Sequence, residues 1–333
     1  MAQLIGTLVP EDDYTHPLGP EPNFNESMYF NFFDPNRGVG GFVRLGNRAN
    51  EGRAEMTVCI FLPDGRVLFN FKRAQIDHND AFDAGGLRFE VLEPTEHLRT
   101  VYVGRASELK DARSMADPSK AFRESPRCDL EIDLEHRAAG PMYGGAKNSD
   151  DSERKAEDQF GKAHYEQHMS VSGEIRIEGQ AISISGFGLR DHSWGPRHWQ
   201  AIHGYEWLTM NFGENFGAMV SVIRRDAQGE ARRGGVLVRN GELDFIRDVQ
   251  IEIEYEENGL YHRSLQVSLE TKSGERLKIE GTVKGFIPLR NRRDGMTTHI
   301  GEGMTEWRHD GQTGYGLSEL LRQVESSNRK APA

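Results

Sequence analysis

His262–Thr271 (HRSLQVSLET), Lys272-Ser273-Gly274 and Glu275–Phe286 (ERLKIEGTVKGF) alternate apolar and polar residues on either side of a glycine-containing turn. A period of two belongs to a strand with one buried face, and two such runs around a short turn read as a β-hairpin. Working outward, the same pattern returns at Ala54–Phe61, followed by a Leu62-Pro63-Asp64-Gly65 turn and Arg66–Arg73. It returns again at Cys128–Arg137, His168–Gly179, Gln180–Gly188, Phe216–Arg225 and Asp248–Tyr255. Short strands at such regular spacing predict an all-β sandwich or barrel. Only Gly316–Val324 (GLSELLRQV) reads as helix, with Ser318 as its N-cap and Leu317, Leu320 and Leu321 on one side.

At 333 residues the chain exceeds one ordinary domain, so two similar halves are expected. A weak repeat supports duplication: Glu26–Phe32 (ESMYFNF) and Glu206–Phe212 (EWLTMNF) share Glu, Asn and Phe at an offset of 180. Gly41-Phe42-Val43 and Gly217-Ala218-Met219-Val220 follow in the same order. The polar stretch Ala138–Gln159 reads as a linker, which places the halves at residues 1–158 and 159–333, and Ala106–Arg127 is a second long connection with room for a short helix.

The charge of −11, from 41 basic and 52 acidic residues, argues against nucleic acid or an anionic membrane as partner. Two isolated cysteines, Cys59 and Cys128, suit a reducing, cytoplasmic setting. The start MAQLIGTLVPEDDY does not read as a signal peptide, and no run is apolar enough to span a membrane.

Chemistry concentrates in Gly186–Trp199 (GFGLRDHSWGPRHW), and five of the twelve histidines lie between His164 and His203. Asp191 beside His192 supplies an acid–base pair, with Trp194 and Trp199 as apolar walls and Arg197 beside them. A carboxyl against such walls keeps its proton near neutrality, and aromatic faces stabilise a developing cation. A plain barrel plug, with Arg197 stacked on tryptophan, explains the same residues. On a strand His164, Glu166 and His168 share one face, a set that could bind zinc or iron; a polar barrel face is the simpler reading, and neither metal nor cofactor is expected. Gly38–Gly41 lacks the setting of a phosphate loop, and the Gly-x-Ser-x-Gly elbow of α/β-hydrolases is missing from the sequence.

Asp191-His192-x-Trp194-Gly195, with His164–Gln167, Glu26–Asp34 and Thr305–Glu319, resembles proteins related to carotenoid 1,2-hydratase (hydroxyneurosporene synthase) and the AttH-like group. That group is a double-lipocalin branch of the calycins, related to kievitone hydratase, terpenoid cyclases and pericyclases. The resemblance implies two tandem lipocalin-like barrels, and Tyr29, Glu306 and Trp307 flanking the cavity or the junction between halves. Ser193 stands where the hydratases more often carry an acidic residue or Gln.

The expected function is a cofactor-independent hydratase, dehydratase, isomerase or cyclase acting on a hydrophobic isoprenoid, steroid or polycyclic molecule. Asp191 would move the proton and His192 would orient or relay, while Trp194, Trp199, Arg197, His164, Glu166, Tyr29, Glu306 and Trp307 would bind substrate. The alternative is a lipocalin-type carrier without chemistry. Expected partners are the small molecule and at most a second copy of the chain.

Overall fold

A computed structural model describes residues 2–146, 161–293 and 295–325. Its strands in chain order are β1 (Leu4–Gly6), β2 (Phe24–Asp34), β3 (Val39–Arg48), β4 (Arg53–Phe61), β5 (Val67–Gln75), β6 (Asp83–Ala84), β7 (Leu87–Glu93), β8 (His97–Leu109), β9 (Arg127–Ala138) and β10 (Met142–Ala146). They continue as β11 (Ala163–Ile177), β12 (Gln180–Pro196), β13 (Gly204–Asn211), β14 (Phe216–Arg224), β15 (Arg232–Arg239), β16 (Glu242–Tyr255), β17 (His262–Thr271), β18 (Arg276–Arg293), β19 (Met296–His309) and β20 (Gln312–Glu325). One short α-helix, α1 (Pro118–Glu124), lies between β8 and β9.

Alternation drives the strands. In β9, Cys128, Leu130, Ile132, Leu134 and His136 are buried while Asp129, Glu131, Asp133 and Arg137 are exposed, the two faces of one pleat. At the turns the glycines are required: Gly65 and Gly274 have φ of +87° and +94°, a conformation that costs glycine little.

The pairing makes two closed circuits. The first runs β2-β3-β4-β5-β8-β9-β11-β12 and returns to β2, where Pro196 lies opposite Phe24 and Phe187 opposite Phe33. β1 and β10 extend it beyond β11, and the β6–β7 hairpin extends it from β8. The second is a barrel of β13 to β20 in sequence order, closed by β13 against β20. Closure removes the sheet edges that would otherwise invite aggregation. β2 and β13 are each the first strand of their circuit and begin 180 residues apart, as the repeat predicts.

Each barrel has its own apolar core. Met28, Phe30, Leu45, Met56 and Ile60 fill the first, and Leu208, Met210, Val267, Ile279 and Trp307 fill the second. A further cluster joins the outer walls: Tyr29, Phe42, Cys59, Phe61 and Phe69 of barrel one meet Ile287, Met304 and Leu317 of barrel two. Burying side chains of this size stabilises by roughly 1.5–3 kcal/mol each before entropy is counted. This second covering explains why β2 is buried along nearly its whole length.

Three expectations are corrected. Gly316–Val324 is not a helix but part of β20, paired with both β13 and β19. Both of its faces are covered, so the Leu320-Leu321 doublet imitates a helical stripe; short apolar runs are ambiguous by period alone. The division at 158/159 falls outside the described residues, but the strands on either side of it, β10 and β11, pair with each other. The change of barrel therefore lies between Pro196 and Gly204, and the Asp191 segment belongs to the first barrel. Of the expected linker, Met142–Ala146 is strand and 147–159 lies outside the described residues. Cys59 and Cys128 are free and buried, and no described helix is long and apolar enough to cross a membrane.

Candidate functional site between the barrels

The Asp191 segment does not turn. It is regular strand through Pro196, paired residue for residue with β11 and β2. Period two therefore sends neighbours to opposite faces. Arg190, His192 and Trp194 enter barrel one, while Asp191 and Ser193 face barrel two.

Inside barrel one the charges are closed upon each other. Arg190 donates to Asp13 (2.5 Å) and Gln167 (2.8 and 2.6 Å), and Asp13 also accepts from the Tyr165 hydroxyl (2.6 Å) and the Thr95 amide (2.5 Å). His192 Nε2 lies 2.7 Å from Glu26 Oε1, which His16 Nδ1 approaches to 2.8 Å. His16 stacks on Trp194, ring centroids 3.7 Å apart. Asp13, Glu26, Arg190 and His192 have essentially no exposure.

The outer face is organised differently. Register places Tyr143, Glu166, Asp191, Tyr29, Arg44 and Thr57 in one row across β10, β11, β12, β2, β3 and β4. Barrel two presents Trp207, Glu319, Glu302 and Ile287 as a row across β13, β20, β19 and β18. Trp207 Nε1 donates to Glu166 Oε1 at 2.7 Å and ties the rows together. His164 Nε2 is hydrogen-bonded to Asp191 and lies 3.6 Å from Glu166. The Tyr205 hydroxyl donates to Glu319. Tyr29 Oη, Arg44 Nη2, Glu166 Oε2 and Glu302 Oε2 are buried with no hydrogen-bond partner among the described residues, an expensive arrangement that calls for a ligand or water. Trp199 covers one side, with the Arg197 and Arg44 guanidiniums 5.5 and 5.8 Å from its ring.

Protonation follows from these contacts. Burial alone would raise the Asp191 pKa, but the adjoining His164 outweighs it and holds the carboxyl below its usual range. The same pairing overcomes burial at His164 and raises that imidazole. Glu166 is raised, because burial exceeds what His164 returns. Glu302 is raised well above normal by burial and then by Glu319, and Glu319 is raised by burial. Burial lowers Arg197 to about 10, with Arg44 adding repulsion. Groups with lowered and with raised carboxyl pKa thus coexist at the junction of the two barrels, the separation that acid–base catalysis requires.

Of the predicted site residues, Asp191, His164, Glu166, Tyr29, Arg197 and Trp199 gather between the barrels. His192 and Trp194 do not; they belong to the interior of barrel one. Trp307 lies in the core of barrel two, and Glu306 pairs with Arg308 at 3.0 Å. His168, expected beside His164 and Glu166, packs against Gly217 of β14, and burial lowers it to about 4. Asp191 takes its place: His164, Glu166 and Asp191 offer ligand atoms within 4.8 Å of one another, as do His16, Glu26 and His192. Sequence reasoning missed Glu302, Glu319, Tyr205 and Trp207. Read as strand, Leu317-Ser318-Glu319-Leu320-Leu321 would have set Glu319 among buried apolar positions. Two surface grooves, one bordered by Arg99, Asp133 and Glu174 on barrel one and one by Arg224, Glu230 and Arg233 on barrel two, share no residue with this cluster.

Comparison with known proteins extends along nearly the whole chain. A crystal structure of an AttH candidate from Nitrosomonas europaea superposes with a TM-score of 0.58 at 16% identity, covering 97% of this chain and all of that one. CghA solved with Sch210972 gives 0.55 at 11%, covering 98% and 97%. Kievitone hydratase from Nectria haematococca gives 0.54 at 11%, covering 96% of both chains. The superpositions show a shared fold. No curated protein matches by sequence. The family model described as a domain of unknown function, DUF7064, matches residues 9–324, and the chain belongs to that family.

Proposed function

We propose that this chain is an acid–base enzyme of hydratase, dehydratase, isomerase or cyclase type, acting on a hydrophobic small molecule held between the barrels. One observation carries the reading: the hydrogen-bonded Asp191–His164 pair lies beside Glu166 and across the junction from Glu302, carboxyls whose pKa is raised, flanked by Tyr29, Trp199 and Trp207. In hydration a carboxyl O–H adds its proton to one alkene carbon, water oxygen bonds to the other, and the surplus water proton passes to Asp191. Dehydration is the reverse; isomerisation or cyclisation ends with loss of a proton from carbon instead. Aromatic faces stabilise the cationic intermediate by about 0.5–2 kcal/mol each, and proton transfer contributes roughly 10²–10⁴ in rate. The relatives agree with this: one is named a hydratase, and another was solved with a small molecule, Sch210972. His164 replaces His192 as the imidazole acting with Asp191, and His192 becomes a support within barrel one.

The test is isotopic. The full chain is incubated with a panel of polyenes, terpenoids and polycyclic compounds in deuterated, ¹⁸O-enriched water, and recovered compounds are weighed by mass spectrometry. Deuterium on carbon or ¹⁸O in product supports an enzyme. Retained but unlabelled and unaltered compounds would establish the carrier instead.

A further inference from the structure

We infer that the proton donor of the inter-barrel site is the Glu302–Glu319 pair of barrel two, two carboxyls that share one proton, with Asp191 and His164 as the base across from it. This rests on the acid–base reading above and names the donor within it.

Geometry comes first. Glu302 of β19 and Glu319 of β20 are register partners on adjacent antiparallel strands, both on the face turned to barrel one. Side chains directly opposite in such a pair are about 5 Å apart at Cβ, and like charges there repel. Glu302 is only 4% exposed. Among the described residues no ion pair reaches either carboxyl.

Glu206, another buried carboxylate of barrel two, is matched by basic side chains. It accepts from Arg224 at 2.9 and 2.6 Å and is bridged by Arg322 as well. Glu302 and Glu319 have instead each other. Two anions this close in a poorly hydrated space cannot both persist, and one proton held between them resolves the conflict.

The surroundings decide where the proton sits. The Tyr205 hydroxyl donates to Glu319, and acceptance favours the ionised form there. The proton then rests mainly on Glu302, whose Oε2 meets no hydrogen-bond donor among the described residues. Groups facing the pair are Tyr29 of β2, Cys59 of β4, Asp191 of β12, Tyr205 of β13 and Arg44 of β3. Of these only Arg44 is basic, and its attraction acts on Glu319. Burial raises both glutamates, and the charge of Glu319 raises Glu302 further, which agrees with the geometry. In the reaction the Glu302 O–H bond breaks as a C–H bond forms, leaving the pair doubly ionised until the proton returns from solvent or from the product-forming step.

The experiment combines two readouts on the full chain and on Glu302→Gln, Glu319→Gln and Asp191→Asn. Difference infrared spectroscopy at neutral pH should show a protonated-carboxyl carbonyl band that disappears as pH rises, and both glutamate variants should remove or shift it. The isotopic assay should show deuterium transfer to carbon falling by ~10²-fold or more in Glu302→Gln, through kcat and not KM. The wild-type rate should fall on the alkaline side as the pair ionises. No carbonyl band at neutral pH, or one indifferent to both glutamate variants, overturns the shared proton. A folded Glu302→Gln that keeps the wild-type rate overturns the donor role. If the band behaves as expected while wild type transforms no compound, the shared proton stands and the donor role falls with the enzymatic reading. Should Glu302→Gln melt far below wild type, Glu319→Gln carries the same two measurements.

Discussion

The two faces of β12 carry opposite kinds of charge. Toward the interior, Arg190 and His192 meet Asp13, Gln167, Tyr165 and Glu26, every contact closed within the barrel. Toward barrel two, Asp191 stands among carboxyl and hydroxyl atoms that no group of the described residues satisfies. One strand thus carries a closed network on its even-numbered residues and part of the proposed site on its odd-numbered ones. A satisfied buried network fixes a fold, whereas a partly satisfied one implies something else that completes it.

The strongest way to break this contrast is through the interior. Arg190→Met leaves Asp13 buried without its countercharge and should cost about 3–5 kcal/mol in denaturant unfolding. Asp13→Asn in the same chain should recover part of that loss; a single-variant cost below about 1 kcal/mol would mean that the inner network is not structural. On the outer face Asp191→Asn should leave the denaturation midpoint nearly unchanged and lower turnover by roughly 10²–10⁴. An unfolded Asp191→Asn with intact Arg190→Met would invert the assignment of faces.

A smaller effect sharpens the inner side. Burial opposes the charge on His16, but Glu26 and Asp12 outweigh it and its pKa is raised above 6.5. Its contribution is complete below that value and is lost as pH rises through the folded value, since the unfolded chain releases the proton first. His16→Gln should flatten the decline in melting temperature above neutral pH, removing on the order of 1 kcal/mol. Smallest is the outer wall of barrel one, where Arg99 meets Asp133 at 2.7 and 2.6 Å in the open. Arg99→Ala should change stability by less than about 1 kcal/mol, and by less still in high salt.

Most of the fold is legible in the sequence because half-buried strands such as β9 and β17 carry their period openly. What was hidden lies where both faces are covered. β20 loses its alternation between the barrel-two core and the outer wall of barrel one, and so imitates a helix. The candidate site was legible as a segment and misread as a geometry. Asp191 beside His192 read as one acid–base pair, yet the segment is strand, and its glycines bring neighbouring strands close: an added Cβ at Gly188 would sit 1.8 Å from the Asn31 carbonyl oxygen. Strand alternation applied strictly would have parted the two residues. Glu302 and Glu319 carried no local motif, since their meaning comes only from being register partners.

Both barrels are closed by their last strand meeting their first: Phe24 waits for Pro196, and Gly204 for Arg322. During synthesis, then, neither circuit can shut until its final strand has left the ribosome, and such long-range pairing folds slowly. Asp191 rides on one closing strand and Glu319 on the other. The groups of the proposed site consequently arrive with the staves that seal the casks, so a half-made chain holds an open sheet and no assembled site. A nascent-chain series should therefore gain protease resistance in two steps, the first after residue 196 emerges and the second after residue 322, with proton chemistry appearing only at the second.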